Sequence, residues 1–393
     1  MIHVAFVSHG FPEGGVARIT LDLIRYCRKA APDIRFTILA DRPLKKGDLP
    51  RDLAFLPVIA TRHPVKEAIR LRTNVLVQCS RMEKDLEKAR EVGIRIVYAE
   101  HGEPFHERYA IIDRRMGGSK RLLFKRLLWH LFLRRRYADG QRAYRMAVAR
   151  TRAAFDACDA FVVLCEGYRE TFIEAGFDPQ RLYVIPNAEP LVPDPNLNKQ
   201  PRVLYCGRLT DYDKKPERLL RIWAQAEHDL PDYWLDIVGD GPERKRLERM
   251  ARKMDLRRCR FRLWRKNVEA WYRKAEILCL TSQTEAWGLS LTEAQAHGVI
   301  PIAFACSDGV KEVLSPSGVN GFLVPPGDEE AFARTLVEVA RLSEDKKQVL
   351  RQNLLKKAAT YSVSLSGNKW IKLLRELTRE DAATASEEAA DTL

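Results

Sequence analysis

The chain has 393 residues, 46% of them apolar and 31% charged, with 67 Lys and Arg against 53 Asp and Glu and a formal net charge of +14. That length suits two domains or one large one, and the composition is globular rather than disordered. Its apolar stretches fall well short of the roughly 20 residues of a spanning helix, and its eight cysteines stand singly with no C-x-x-C spacing. With no basic leader before the apolar run of MIHVAFVSHG, the expectation is a cytosolic protein with reduced core thiols, neither secreted nor membrane-spanning.

In chain order, IHVAFVSHG reads as a buried strand ending in a loop, FPEGG as a turn, and Val16, Ile19, Leu23 and Tyr26 recur at helical spacing. RFTILAD, NVLVQC, IRIVYAEHG, AFVVLCEG and LYVIPNA follow, each short and rich in Val, Ile or aromatics, with helical material between. This is the pattern of a parallel sheet wound with helices. His101 follows one strand, in EHGEPFHERY. A metal pair with His106 is the poorer reading, since five-residue spacing lacks helical alignment and no Cys or acid completes a ligand set.

Between Arg114 and Arg152 lie thirteen basic residues and one acid, Asp139, a local balance of +12. Phe124, Trp129 and Phe132 point in different directions on a helical wheel, so the segment does not define a simple interfacial helix. Residues 114–152 are read first as a partly buried helix with basic ends that docks on an anionic membrane surface, because Trp, Phe and Leu beside Arg suit a bilayer interface. The alternative is a solvated basic helix packed on its own domain. A nucleic-acid partner is not expected, since no recognised binding module interleaves aromatics here.

The proline-rich PNAEPLVPDPNLNKQP ends the first half, and the pattern then restarts with RVLYCGRL, WLDIVGDGP, CRFRLW, EILCLTS, IPIAF and GFLVPP as strands. The predicted class is α/β, with two doubly wound Rossmann-like domains facing a cleft. The divisions are 1–187, a linker 188–201, a second domain 202–362, a helix 363–378 with Trp370, Leu373, Leu374 and Leu377 at helical spacing, and a disordered acidic tail 379–393. The helix either crosses back to the first domain or finishes the second.

Strand ends of the second half suit an anionic nucleotide. Gly207 and Arg208 follow a strand and Lys214 opens the next helix, so two cations near a helix N-terminus can hold a diphosphate. Each alone could equally be a surface cation. VGDGP, with Gly239, Asp240 and Gly241, is a glycine-permitted turn after a strand. In TSQTEAWGLSLTEAQAHG, Glu285 and Glu293 lie eight positions apart across a turn at Gly288, with a helix starting at about Leu289. Exposed amides from Gly288 to Ser290 can meet phosphate or sugar oxygens, and Glu293 can accept two ribose hydroxyls. The plainer reading of Glu293 is an acid favoured by the helix dipole.

Together, Arg208 and Lys214 after CGRL, the VGDGP turn, the two glutamates of EAWGLSLTE, EAQAHGVIPIAF and GVNGFLVPPGD resemble the family 4 glycosyltransferases of GT-B fold, of bacterial polysaccharide and lipopolysaccharide type. Order and spacing match over nearly all of 202–328; in the first half the match is the Gly14-Gly15 loop, Glu100-His101-Gly102 and LYVIPNA. The resemblance implies a retaining enzyme that moves a sugar from a UDP or GDP sugar to a lipid-linked or polysaccharide acceptor, with no metal or other cofactor. It makes 1–187 the acceptor side and 202–362 the nucleotide-sugar-binding domain, and places the enzyme in the cytoplasm at the inner face of the membrane. By the same resemblance Arg208 and Lys214 grip the donor diphosphate, Glu285 lies beside the transferred sugar, and Glu293 binds the ribose. Gly15, Gly239 and the backbone at Trp287, Gly288 and Leu289 approach the donor, and His101 meets the sugar or the acceptor hydroxyl. The alternatives are a non-catalytic partner subunit of the same fold and a nucleotide-sugar 2-epimerase. Three departures stand out: Ala286-Trp287-Gly288 for the family's Gly-Phe-Gly, which makes the loop bulkier beside the sugar, Leu263 in FRLWRKN for a glycine, and Ala188 after Asn187 for a glycine.

Overall fold

The computed structural model describes residues 1–45, 47–79, 82–105, 140–263 and 268–390. Its strands are the short apolar runs of the sequence. The first half supplies β1 (Ile2–Ser8), β2 (Ile34–Ala40), β3 (Val58–Ala60), β4 (Val75–Cys79), β5 (Arg95–Ala99), β6 (Ala160–Val163) and β7 (Leu182–Val184). They form one sheet in the order β3-β2-β1-β4-β5-β6-β7, parallel throughout. The second half supplies β8 (Gln200–Cys206), β9 (Trp234–Val238), β10 (Cys259–Arg262), β11 (Ala275–Leu280), β12 (Ile300–Phe304) and β13 (Phe322–Val324). These form a second parallel sheet in the order β10-β9-β8-β11-β12-β13.

β4, β11 and β12 are buried at every position rather than at alternate ones, which is what helices on both faces of a parallel sheet produce. The chain therefore has the predicted α/β class with two doubly wound sheets. β3 has no counterpart among the runs picked out in the sequence. It is a three-residue edge strand, half-buried, and too short to show a period.

The helices of the first half are α1 (Gly15–Ala30), α2 (Pro64–Arg70), α3 (Leu86–Glu91), α4 (Gly140–Asp156) and α5 (Glu166–Glu174). Those of the second are α6 (Pro216–Ala226), α7 (Arg244–Lys253), α8 (Glu269–Tyr272), α9 (Leu289–Ala296), α10 (Asp308–Leu314), α11 (Glu329–Ala340), α12 (Glu344–Ala359) and α13 (Val363–Ala390). Two compact units result: one comprises 1–18, 27–185 and 371–393, the other 19–26 and 186–370. Residues 379–390, expected to be a disordered tail, instead continue α13. The physical reason is composition: Ala and Glu are strong helix formers, and no Gly or Pro interrupts the run after Gly367. No described helix is long and apolar enough to cross a membrane.

In the first unit, Phe105, Phe155, Phe161, Phe172 and Phe177 pack ring against ring at 5.0 to 6.0 Å, several of them edge-on, a geometry aromatic quadrupoles favour. Arg152 covers the cluster with its guanidinium 3.8 Å from the Phe177 ring centre and donates to the Ala175 and Gly176 carbonyls at the end of α5. One cation of the basic segment is thus spent inside the fold. Arg142, Arg145 and Arg150 on α4 are exposed. Residues 106–139, which hold His106, Phe124, Trp129, Phe132 and most of the basic segment, lie outside the described residues.

In the second unit, Leu219, Leu220 and Trp223 of α6 and Phe332 and Leu336 of α11 bury against Leu235, Ile237, Ile277 and Ile302 of the sheet. At the start of β11 the core also takes in charge. Glu276 meets Lys347 at 2.7 Å and Arg351 at 3.3 Å, and accepts from the Tyr233 hydroxyl, with Glu276 and Lys347 under a tenth exposed and Arg351 fully buried. Removing one partner of such a network strands the others without water. Glu276→Leu should therefore lower the unfolding free energy by about 3–5 kcal/mol in urea titration.

Candidate active site

The second sheet reverses its strand order between β8 and β11. Ligands of open parallel sheets bind outside the carboxyl ends of strands at such a switch point, and there the chain gathers its candidate residues. The loops after β8 and β11 are joined through Asp213, whose carbonyl accepts from the Gln283 and Thr284 amides at 2.7 and 3.4 Å. The Asp213 carboxylate accepts from the Arg208 guanidinium at 2.8 Å and from the Thr210 hydroxyl at 2.5 Å.

The loop after β9 lies against the same place. Gly207 donates to the Val238 carbonyl at 3.1 Å and Leu209 to the Asp240 carbonyl at 2.9 Å. A Cβ at position 239 would stand 2.0 Å from the Gly207 carbonyl oxygen, so Gly239 is required by backbone packing.

Lys214, just before α6, pairs its ammonium with Glu285 Oε2, and the Ser282 hydroxyl donates to that oxygen at 3.3 Å. These two side chains are 17% and 14% exposed, whereas Arg208 is 72% exposed. An ammonium has three donors and a guanidinium five, so both cations can hold these acids and still donate to an anion. The Glu285 carbonyl accepts from the Ser307 hydroxyl at 2.5 Å, and Ser307 also caps α10 by accepting from the Val310 amide.

Gly288 adopts φ 78° and opens α9 at Leu289, the start expected from the sequence. A Cβ there would meet Leu291 Cδ1 at 2.8 Å in a backbone region side chains rarely adopt. First-turn amides of a helix have no intrahelical partner. Trp287 is 2% exposed and packs edge-on against Tyr361 at 5.0 Å. Its indole faces the interior of the second unit, which corrects the expectation of bulk beside a sugar and leaves the backbone at 287 as the candidate group.

Glu293, in the second turn of α9, accepts from the Tyr272 hydroxyl at 2.5 Å. Gly15 and His101 belong to the other unit: Gly15 opens α1 after Gly14 at φ 92°, and His101 is half-buried two residues past β5. The sequence reading missed Asp213, Tyr272, Lys199 and Ser307. Only Ser307 carried a local signal, a serine placed to cap a helix before DGVKEVL. Among the described residues no group of three or more His, Cys, Asp or Glu could hold a metal ion.

Two such units define the GT-B fold of glycosyltransferases. The Anabaena HepE protein, solved in complex with UDP and glucose, superposes with a TM-score of 0.71 at 18% identity, covering 96% of this chain and 100% of that one. Residues 190–358, within the second unit, match the family "Glycosyl transferases group 1". An uncharacterized glycosyltransferase of Haemophilus influenzae is 33% identical over 47% of this chain and 52% of its own length. A Campylobacter jejuni N-acetyl-D-galactosaminyltransferase, named for an undecaprenol-linked saccharide, is 29% identical over 58% of this chain and 62% of its own. The chain thus spans little more than half the length of these curated relatives.

Lys199 lies beside Glu293's supports, donating to the carbonyls of Tyr272 at 3.0 Å and His297 at 2.7 Å. Burial, aided by Arg351 and Arg273, pulls its ammonium down to about 7 from 10.5. Between those values the unfolded chain carries a proton that the folded chain lacks, so raising the pH favours folding. Below about pH 7 the full cost of the buried charge remains. Relative to Lys199→Met, the wild type should gain unfolding free energy as pH rises from 7 to 9 in urea titrations; a constant difference would refute the buried amine.

Proposed function

We propose that this protein is a retaining glycosyltransferase that moves a sugar from a UDP or GDP sugar to a lipid-linked or polysaccharide acceptor in cell-surface glycan synthesis. The observation that carries the reading is the convergence of Arg208, Lys214 and Glu285 with the N-terminus of α9 at the carboxyl ends of β8 and β11. The HepE neighbour, solved with UDP and glucose, supports a nucleotide-sugar donor, and the Campylobacter relative supports a lipid-linked acceptor.

Breaking the bond between the sugar's anomeric carbon and a phosphate oxygen leaves a diphosphate with growing negative charge. Fixed cations and amide dipoles aimed at that charge stabilise the transition state more than the ground state. Arg208 and Lys214 supply the cations in this reading and the start of α9 the dipoles, with no call on a metal. Glu285 keeps the Lys214 ammonium in place and faces the transferred sugar. Retention follows if the departing phosphate oxygen takes the acceptor proton on the same face, so the two-carboxylate scheme of glycosidases is not imposed on Glu285 and Glu293. His101 and Gly15 serve the acceptor and the donor diphosphate from the first unit, and residues 114–152 hold the enzyme to anionic lipid at the inner face of the membrane.

The test is a thermal-shift panel of UDP and GDP sugars. One of them should stabilise the wild type, and Lys214→Ala and Glu293→Ala should abolish the shift. Lys214→Ala should also slow transfer by roughly a hundredfold. No stabilisation by any nucleotide sugar would overturn the reading.

A further inference from the structure

We propose that Tyr272 is a positioning residue for Glu293, fixing the rotation of its carboxylate toward a ribose diol; this rests on the nucleotide-sugar reading above. Tyr272 ends α8, is 1% exposed, and donates its hydroxyl to Glu293 Oε2 at 2.5 Å. The residue is held from several sides, the Cys206 side chain being one of its hydrogen-bond partners. Its ring stacks on His297 at 5.3 Å with a 27° tilt, its carbonyl accepts from Lys199, and its hydroxyl meets Glu293. His297 returns to the same acid, with Nδ1 2.9 Å from the Glu293 carbonyl, and shares the Lys199 ammonium.

A carboxylate offers about four lone-pair sites. The bond from Tyr272 occupies one of them and sets the rotation of the group. A free glutamate must order its rotamers when it binds, a loss that weakens affinity. One already held by a buried phenol has made most of that adjustment in the empty protein. Burial first, and then the neighbouring Cys206 and Glu293, push the Tyr272 phenol well above its ordinary value, so it remains a donor throughout the neutral range.

The experiment is calorimetric titration of the full-length chain and of Tyr272→Phe with UDP, GDP and their 2′-deoxy forms. The wild type should prefer the ribonucleotide. Tyr272→Phe should weaken ribonucleotide binding roughly three- to tenfold and the deoxy form less, narrowing the preference. A ratio taken within one protein does not depend on how much of the sample is folded, which separates positioning from stability. Equal weakening of both nucleotides would overturn the role of Tyr272 alone. A wild type that binds none of the four nucleotides would overturn the donor reading and this role with it.

Discussion

One backbone carbonyl, that of Asp213, ties the loop after β8 to the loop after β11 by accepting from Gln283 and Thr284. Every charged group of the candidate site stands on one side or the other of that tie. Arg208 and Lys214 flank Asp213 in sequence, and Glu285 follows Thr284 directly. Parallel strands leave their carboxyl-end loops free to diverge, and this tie, joined by the Thr281 hydroxyl donating to the Lys215 carbonyl, holds a cation from one loop against a carboxylate from the other. The close contact of Gly239 with the Gly207 carbonyl plays the same part toward β9. Both constraints act on backbone, which makes the site's geometry insensitive to the rotamers of its exposed side chains.

The cations are already partnered. Arg208 holds Asp213 and Lys214 holds Glu285, so the site does not present bare positive charge. This matters because burying an ammonium without a counter-charge is costly. A diphosphate entering here would find donors preorganised by acids rather than donors it must first gather, and Lys214 in particular can bridge Glu285 and an incoming anion. Glu285 thereby acquires a duty to the cation alongside its position beside the proposed sugar.

Most of the fold was legible because parallel strands covered on both faces become continuous apolar runs, as VLVQC and IPIAF show, and such runs survive without an alignment. β3 was not legible because three half-buried residues carry no pattern. In the site, Glu285, Gly288 and Glu293 could be read because they are close in sequence and bracket a helix start. Lys199, Tyr272 and Glu293 could not be joined by reading, since the topology of the second sheet brings together residues 94 positions apart. Asp213 was hidden for another reason: the group that matters there is its carbonyl, which every residue possesses. The charge count was also coarser than the fold, for Arg152, counted with a segment read as membrane-facing, caps α5 and stacks on Phe177.

Trp287 shows how a departure from a family pattern should be weighed. Read as sequence, an indole where the family places phenylalanine suggests a bulkier loop beside the sugar. The structure turns the ring inward, where it meets Tyr361 edge-on, and Tyr361 in turn donates to Glu312 at 3.0 Å. The larger side chain is thus accommodated on the protein side of the loop, where the second unit packs it. Gly288 at φ 78° then opens α9, whose first amides are the groups a helix start leaves for a ligand. Because the indole anchors the loop from beneath, the position of those amides depends on packing between Trp287 and Tyr361. On the nucleotide-sugar reading proposed above, selectivity for the sugar must accordingly come from groups other than the indole itself.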